Sequence, residues 1–139
     1  MNIDSIMLTH VQTIGMDNTL AEVSTCLGES GLQHIMVVDD DKKLVGIISD
    51  RDVISSTSPN IGTINENNRD RDTLKKKAHQ IMSRDPVSIG KGATIPAAAH
   101  RIITTPGSCL PVVDKENKVI GFVSWKEVME ALIKMSLSK

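Results

Sequence analysis

The chain repeats itself at one fixed spacing. Ile6-Met7 returns as Ile81-Met82, 75 positions further on, and the same offset carries Thr13-Ile14-Gly15 onto Ser88-Ile89-Gly90 and Thr19 onto Thr94. It carries Val37-Val38-Asp39 onto Val112-Val113-Asp114, and Leu44-Val45-Gly46-Ile47-Ile48-Ser49 onto Val119-Ile120-Gly121-Phe122-Val123-Ser124. A gapless offset through so many ordered markers is a duplication, and it restricts the chain to two copies of one supersecondary unit. A copy of about 55 residues buries too little surface to be secure alone, so the pair is expected to fold together.

Each copy reads as strand, helix, strand, strand, helix. Residues 11–14 and 87–89 form a brief extended segment. A helix follows, with Leu20, Val23 and Leu27 on one face in the first copy and Ile95, Ala98, Ala99 and Ile102 in the second. Thr19 and Glu22 have capping-box spacing. Residues 35–38 and 44–48 read as two strands joined by the polar turn 39–43, and residues 110–113 and 119–123 repeat the pattern around 114–118. These strands are continuous Val/Ile-rich runs, which predicts burial on both faces. A second helix begins near Asp50 and near Trp125. The expected fold class is therefore α/β (α+β), two β-α-β-β-α repeats packed through their sheets into one pseudo-two-fold module. Residues 1–57 are expected as the first repeat, 58–77 as a polar linker running into a helix, and 78–139 as the second repeat. Residues 55–77 read as a flexible loop, and residues 72–82 as a helix carrying Leu74, Ala78 and Ile81 on one side.

Composition narrows the function. Sixteen Lys and Arg against 17 Asp and Glu give a net charge of −1, so no electrostatic case exists for nucleic acid or an anionic membrane. Phe122 and Trp125 are the only aromatics, too few for a base-stacking sheet. No basic leader precedes an apolar run, and no apolar stretch approaches the ~20 residues of a membrane span, so a cytoplasmic protein is expected. Cys26 and Cys109 make neither a disulfide framework nor a zinc spacing. His10, His34, His79 and His100 lack metal-ligand spacing. No nucleophile–base arrangement, phosphate loop or marked pair of acids is found, so no enzyme activity is expected.

The repeated markers resemble a known family. Ile6-Met7, the Val-Val-Asp that ends a strand, Gly46-Ile47-Ile48-Ser49-Asp50-Arg51-Asp52, Ile81-Met82-Ser83-Arg84-Asp85-Pro86-Val87 and Leu110-Pro111-Val112-Val113-Asp114 are similar to the CBS domain. Two sets in register resemble a tandem CBS pair, or Bateman module, of the stand-alone bacterial type. The resemblance implies units paired through their sheets and associated further as a homodimer. It implies a regulatory ligand held between the repeats, an adenine nucleotide (AMP, ADP or ATP) or S-adenosylmethionine, with or without magnesium, and no required cofactor. Such modules usually regulate an attached enzyme, channel or transporter. None is attached in this sequence, so an unidentified partner protein is expected.

The resemblance also implies site residues. Gly46 through Asp52 matches the family motif of glycine, two apolar residues, Ser/Thr, two variable residues and Asp. By that match Asp52 accepts hydrogen bonds from both ribose hydroxyls, Ser49 bonds phosphate or ribose oxygens, and Ile47 belongs to the same ligand-binding set. A carboxylate has two acceptor oxygens that fit a vicinal diol. Arg51 offers a charge-assisted contact to phosphate, and the free amides of a helix start favour an anion. Ser49-x-x-Asp52 and Ser124-x-x-Glu127 also have the spacing of helix N-caps with an acid in the first turn, and one residue can serve both roles. The second copy departs from the motif: Glu127 replaces the Asp, Lys126 replaces Arg51, and Trp125 replaces Asp50. The expectation is one strong site using Asp52, and a weak, empty or retuned one around Ser124, Lys126 and Glu127. Trp125 reads as a surface for stacking on a base or as a cover for apolar surface at a dimer contact. Thr13, Ile14, Ser88 and Ile89 match positions near base or ribose in the family, or form an ordinary short strand with an outward hydroxyl. Pro111 fits the family at its position; Met36, its counterpart, reads as a core residue or a surface for adenine. The alternative to a ligand sensor is a ligand-free CBS dimerisation platform.

Overall fold

The computed structural model describes residues 1–105 and 109–138. They fall into two compact units, Gln12–Pro86, and Met1–Val11 together with Val87–Lys139.

The first unit runs β1 (Thr13–Gly15), α1 (Leu20–Ser30), β2 (His34–Val38), β3 (Leu44–Ser49), α2 (Asp50–Ser56), α3 (Asn68–Asp72), a 3-10 turn at Thr73–Lys75, α4 (Ala78–Ile81) and β4 (Ser83–Arg84). Its sheet has the order β1-β2-β3-β4, with β1 parallel to β2 and the remaining pairs antiparallel. The capping box at α1 forms as the spacing predicts: Thr19 Oγ1 accepts from the Glu22 amide at 3.3 Å, and Glu22 Oε1 accepts from the Thr19 amide at 3.1 Å. That backbone bond, with help from the Asn18 side chain, holds the Glu22 carboxyl below its usual range. Gly31 ends α1 at φ 69°, a left-handed cap that favours glycine. Val23 and Leu27 of α1 pack on Ile14, Ile35, Val37 and Ile48 of the sheet, with Ala78 and Met82 closing the cluster.

The second unit contains a 3-10 turn at Ile3–Ser5, then β5 (Ile89–Gly90), α5 (Ile95–Thr104), β6 (Cys109–Val113), β7 (Val119–Ser124) and α6 (Trp125–Leu137). Its sheet order is β5-β6-β7, again one parallel and one antiparallel pair. Ile3, Ile89, Ile95, Ala98, Leu110, Val112, Val123, Val128 and Ala131 form its core. In β2 and β6 every residue after the first is buried, as the unbroken apolar runs predict, whereas β3 alternates between buried and half-buried residues, against the same expectation.

The repeated Val-Val-Asp has a turn-building role. Asp39 Oδ1 accepts from the amides of Asp41 and Lys43 at 2.9 and 3.0 Å, and Asp114 Oδ1 accepts from those of Glu116 and Lys118 at 2.9 Å. Each hairpin thus closes on its own aspartate, with Lys42 and Asn117 at φ 67° and 65° in matching places.

The leading segment of each repeat completes the unit built from the other. Ser83 pairs with Ile47 in one unit, and Leu8 bridges Phe122 in the other. Lys77 bridges Thr19, and Asn2 bridges Thr94. All four partners are related by the repeat offset. Met82 lies over Gly46 and Met7 over Gly121. A Cβ at Gly46 would stand 2.8 Å from Met82 Cγ, and one at Gly121 2.9 Å from the Leu8 carbonyl oxygen, so a side chain at Gly46 displaces Met82 and one at Gly121 meets backbone.

Two further expectations are corrected. The stretch 55–77 is folded rather than a bare loop. Asp70 accepts from the Ser58 hydroxyl at 2.7 Å and the Asn67 amide at 2.9 Å, and α3 forms behind it. The polar residues Ser58, Asn60, Asn67 and Asp70 are one another's hydrogen-bonding partners. The helix expected over 72–82 is broken. Lys76 and Lys77 are extended because their neighbourhood serves α1: Leu20 donates to the Lys76 carbonyl, and Ala78 to the Asn18 carbonyl, both at 2.7 Å. Residues 83–84, which the sequence pattern assigned to no element, are strand β4.

Candidate ligand site

The motif Gly46 to Asp52 covers the end of β3 and the first turn of α2. Alternation along β3 puts Ile47 and Ser49 on one side of the sheet, with Ile48 on the other in the core. Register extends the first side across the strands, since Thr13 is opposite Met36 and Met36 opposite Ile47. Thr13, Met36, Ile47 and Ser49 therefore share one face, away from the helix-covered core. Thr13 is exposed, Ile47 and Ser49 half-buried, and Met36 buried. Ile14 lies on the opposite side, its side chain within the core.

Ser49 and Asp52 cap each other. The Asp52 amide donates to Ser49 Oγ at 3.1 Å, and the Ser49 amide donates to Asp52 Oδ2 at 2.8 Å. Capping is thus one role of this pair. It fixes the carboxylate and leaves Oδ1 without a hydrogen-bond donor among the described residues. Arg51, between them, is exposed.

The second repeat arranges the same positions differently. Pro111 is opposite Phe122, and both are buried. Ser88 precedes β5, and its carbonyl accepts from the Arg101 guanidinium. Ile89 is a core residue, like Ile14. Both oxygens of Glu127 are occupied by Ser124. Oε1 accepts from its amide at 3.0 Å and Oε2 from its hydroxyl at 2.7 Å. The extra methylene lets the carboxylate fold back onto the serine, so no oxygen is left free of a donor as Asp52 Oδ1 is. Lys126 and Trp125 are exposed.

One position missed in the sequence stands beside each carboxylate. His34 is opposite Ser49, and Cys109 is opposite Ser124. Burial lowers the His34 pKa from its ordinary value, opposed by the Asp50 and Asp52 carboxylates. Burial, and secondarily the Glu127 carboxylate, pushes the Cys109 thiol up to about 12. His34 and Cys109 align in the two repeats, but because they are chemically unlike the shared position was not read as part of a site. Phe122 was likewise passed over, although it takes the place of Ile47. No group of three metal-ligating side chains exists among the described residues, and no helix among them is long and apolar enough to cross a membrane.

Comparison with known proteins gives a consistent picture. The model of the CBS domain family matches twice, at residues 3–58 and 78–134. A CBS domain-containing protein of Dictyostelium discoideum is 34% identical over 138 residues, spanning 96% of this chain and 92% of that protein. An inosine-5'-monophosphate dehydrogenase of Methanocaldococcus jannaschii is 25% identical over 127 residues, and the matched region is only 23% of that enzyme. Among solved structures, the CBS-pair protein CBSX2 of Arabidopsis thaliana superposes with a TM-score of 0.81 at 24% identity, covering 97% of this chain and 96% of that one. CBSX2 is also known in complex with AMP. A CBS domain pair in complex with 5'-methylthioadenosine and S-adenosyl-L-methionine superposes at 0.77 with 21% identity, covering 97% of this chain and 98% of that one.

Proposed function

The chain belongs to the CBS domain family, and from that membership we propose that it is a regulatory module binding an adenosyl ligand at Asp52 and signalling the bound state to a partner protein. The observation that carries this reading is the Asp52 carboxylate, held rigid by Ser49 with one oxygen still open to a donor. A vicinal diol supplies two such donors at the right separation. Thr13 and Ile47 offer a hydroxyl and an apolar surface on the same face, with Met36 buried between them. The AMP and S-adenosyl-L-methionine complexes of similar structures support an adenosyl compound. The chemistry is binding alone. To switch a partner, the ligand must favour one arrangement of the protein over another.

A thermal-shift panel of AMP, ADP, ATP, S-adenosylmethionine and GTP, each with and without magnesium, tests the reading. A ligand at about 100 times its Kd adds roughly 2.7 kcal/mol, a rise of several degrees for a domain of this size. A panel flat for every compound would refute the sensor. It would favour the second reading, a dimerisation platform without ligand, which draws its support from the self-occupied Glu127 carboxylate.

Either reading includes a homodimer, and α6 is the surface proposed for it. Trp125, Met129 and Ile133 recur every fourth residue and are 55%, 50% and 53% exposed, beside the face that buries Val128 and Ala131. The apolar arc of α6 is thus wider than its own unit covers. Antiparallel pairing of two copies about a point between Glu130 and Lys134 sets each glutamate against the other copy's lysine, so the charged border complements itself. Ile133→Glu is expected to weaken self-association at least about tenfold in sedimentation velocity. A dimer unmoved by this change would remove α6 from the interface.

A further inference from the structure

We infer that His34 is a specificity-determining residue of the Asp52 site, favouring a phosphate-bearing adenosyl ligand over an uncharged one and coupling its binding to proton uptake. The inference rests on the proposed binding at Asp52 and adds the ligand's charge class and a dependence on pH.

The geometry is specific. His34 opens β2 directly across from Ser49, the residue that caps α2 and holds Asp52. It is half-buried. The charged groups acting on it are Asp50 and Asp52, both from α2; its other strand neighbour in register, Ser49, is neutral. Burial disfavours the imidazolium more than these two carboxylates favour it, so in the free protein the ring is neutral near pH 7. His34 and Ser49 are directly opposite, a placement that sets Cβ atoms about 4.5–5.5 Å apart, so a phosphate bonded by Ser49 brings its charge beside the imidazole, inside the ~8 Å screening length at physiological salt. The phosphate adds negative charge beside a ring that already faces two carboxylates, and so favours the imidazolium.

The sign follows from linkage. Binding that raises the pKa of His34 takes up a proton. The extra affinity is complete below the pKa of the free protein and is lost as pH rises through the pKa of the complex. Because the free value is depressed, affinity climbs as pH falls through and below 6.5, the ordinary histidine value. Adenosine offers no phosphate and S-adenosylmethionine carries a sulfonium cation, so neither draws a proton onto the ring. The second repeat lacks the device, since Cys109 stands in the same place and its thiol stays neutral.

The test is titration calorimetry with AMP and with adenosine between about pH 7.5 and about pH 5.5, on the natural protein and on His34→Gln. Gln keeps the polar bulk without the titrating group. The phosphate of AMP itself loses charge with a pKa near 6, and this background is common to both proteins. The expected result is AMP binding that gains about fivefold over His34→Gln on going to the acid end, with no such difference for adenosine. AMP binding with the same pH profile in both proteins would overturn the role of His34 and leave the Asp52 site standing. No binding of either compound at any pH would overturn the site itself, and His34 with it.

Discussion

Asp52→Ala lowers affinity for the adenosyl ligand by at least about tenfold, roughly 1.4 kcal/mol, in calorimetry or equilibrium dialysis. This change also removes an acceptor from the Ser49 amide, so part of its effect falls on the fold. Asp52→Asn separates the two roles. Asparagine keeps one carbonyl oxygen for the Ser49 amide, but loses the charge and the second acceptor. The expected pattern is that Asp52→Ala loses both binding and about 1 kcal/mol of stability, while Asp52→Asn loses binding and keeps most of the stability. Glu127→Gln, on a carboxylate already occupied by Ser124, leaves affinity within about twofold. Full affinity in Asp52→Asn, or a loss in Glu127→Gln as large as in Asp52→Ala, would place the ligand elsewhere.

Gly121→Ala is the most damaging small substitution predicted for the fold, at the upper end of the about 1–3 kcal/mol that overpacking costs. Its new methyl meets the Leu8 carbonyl oxygen at 2.9 Å and Met7 Sδ at 2.8 Å. That carbonyl accepts from Phe122 at 3.0 Å while Leu8 donates to the Phe122 carbonyl at 2.9 Å, so any retreat strains two backbone hydrogen bonds. For Gly46→Ala the three nearest atoms all belong to the Met82 side chain. Truncating that side chain removes the Sδ and Cγ contacts and leaves Cβ at 3.1 Å, so Gly46→Ala with Met82→Ala is less destabilised than the sum of the two single changes. Gly121→Ala with Met7→Ala recovers far less, because the carbonyl is still there. Urea unfolding of the four single and two double variants reads this difference. Equal recovery in the two pairs would show that the backbone contact does not resist the methyl.

Most of the fold was legible because duplication supplies a second reading of every element. An apolar run at residues 35–38 alone does not distinguish strand from helix, but its recurrence at 110–113 with a proline inside argues against helix. The turn aspartates Asp39 and Asp114 were visible as markers for the same reason. What stayed hidden concerns partners distant in sequence. Ile6-Met7 and Gly46 were each seen to repeat. Nothing in one chain read end to end tells that Met82 rests on Gly46 and Met7 on Gly121. The stretch 55–77 was misread because solvated polar residues and mutually hydrogen-bonded ones have the same composition: Ser58, Asn60, Asn67 and Asp70 form a local network that only geometry reveals.

At the site, spacing showed a cap and a family motif at Ser49 and Asp52 without deciding between them. The structure shows the cap and leaves an oxygen free. For Glu127 the extra methylene pointed to a shifted ribose contact, whereas in the structure it bears first on the cap. The longer arm reaches its own serine with both oxygens. His34 and Cys109 align in the two repeats, but their unlike chemistry pointed to structural or surface roles, and only the strand register sets them beside Ser49 and Ser124.

The exchange of leading segments bears on the order in which the protein is made. Gln12–Pro86 is contiguous, so a nascent chain holds all of that unit once residue 86 is out. The other unit needs Met1–Val11, made early, and Phe122, made over a hundred residues later. At about 5–20 residues per second, Ile3, Ile6, Met7 and Leu8 wait on the order of ten seconds without the strand they belong to. For that interval the growing chain carries a short apolar edge in search of a partner, while β7, its own, has not yet been synthesised.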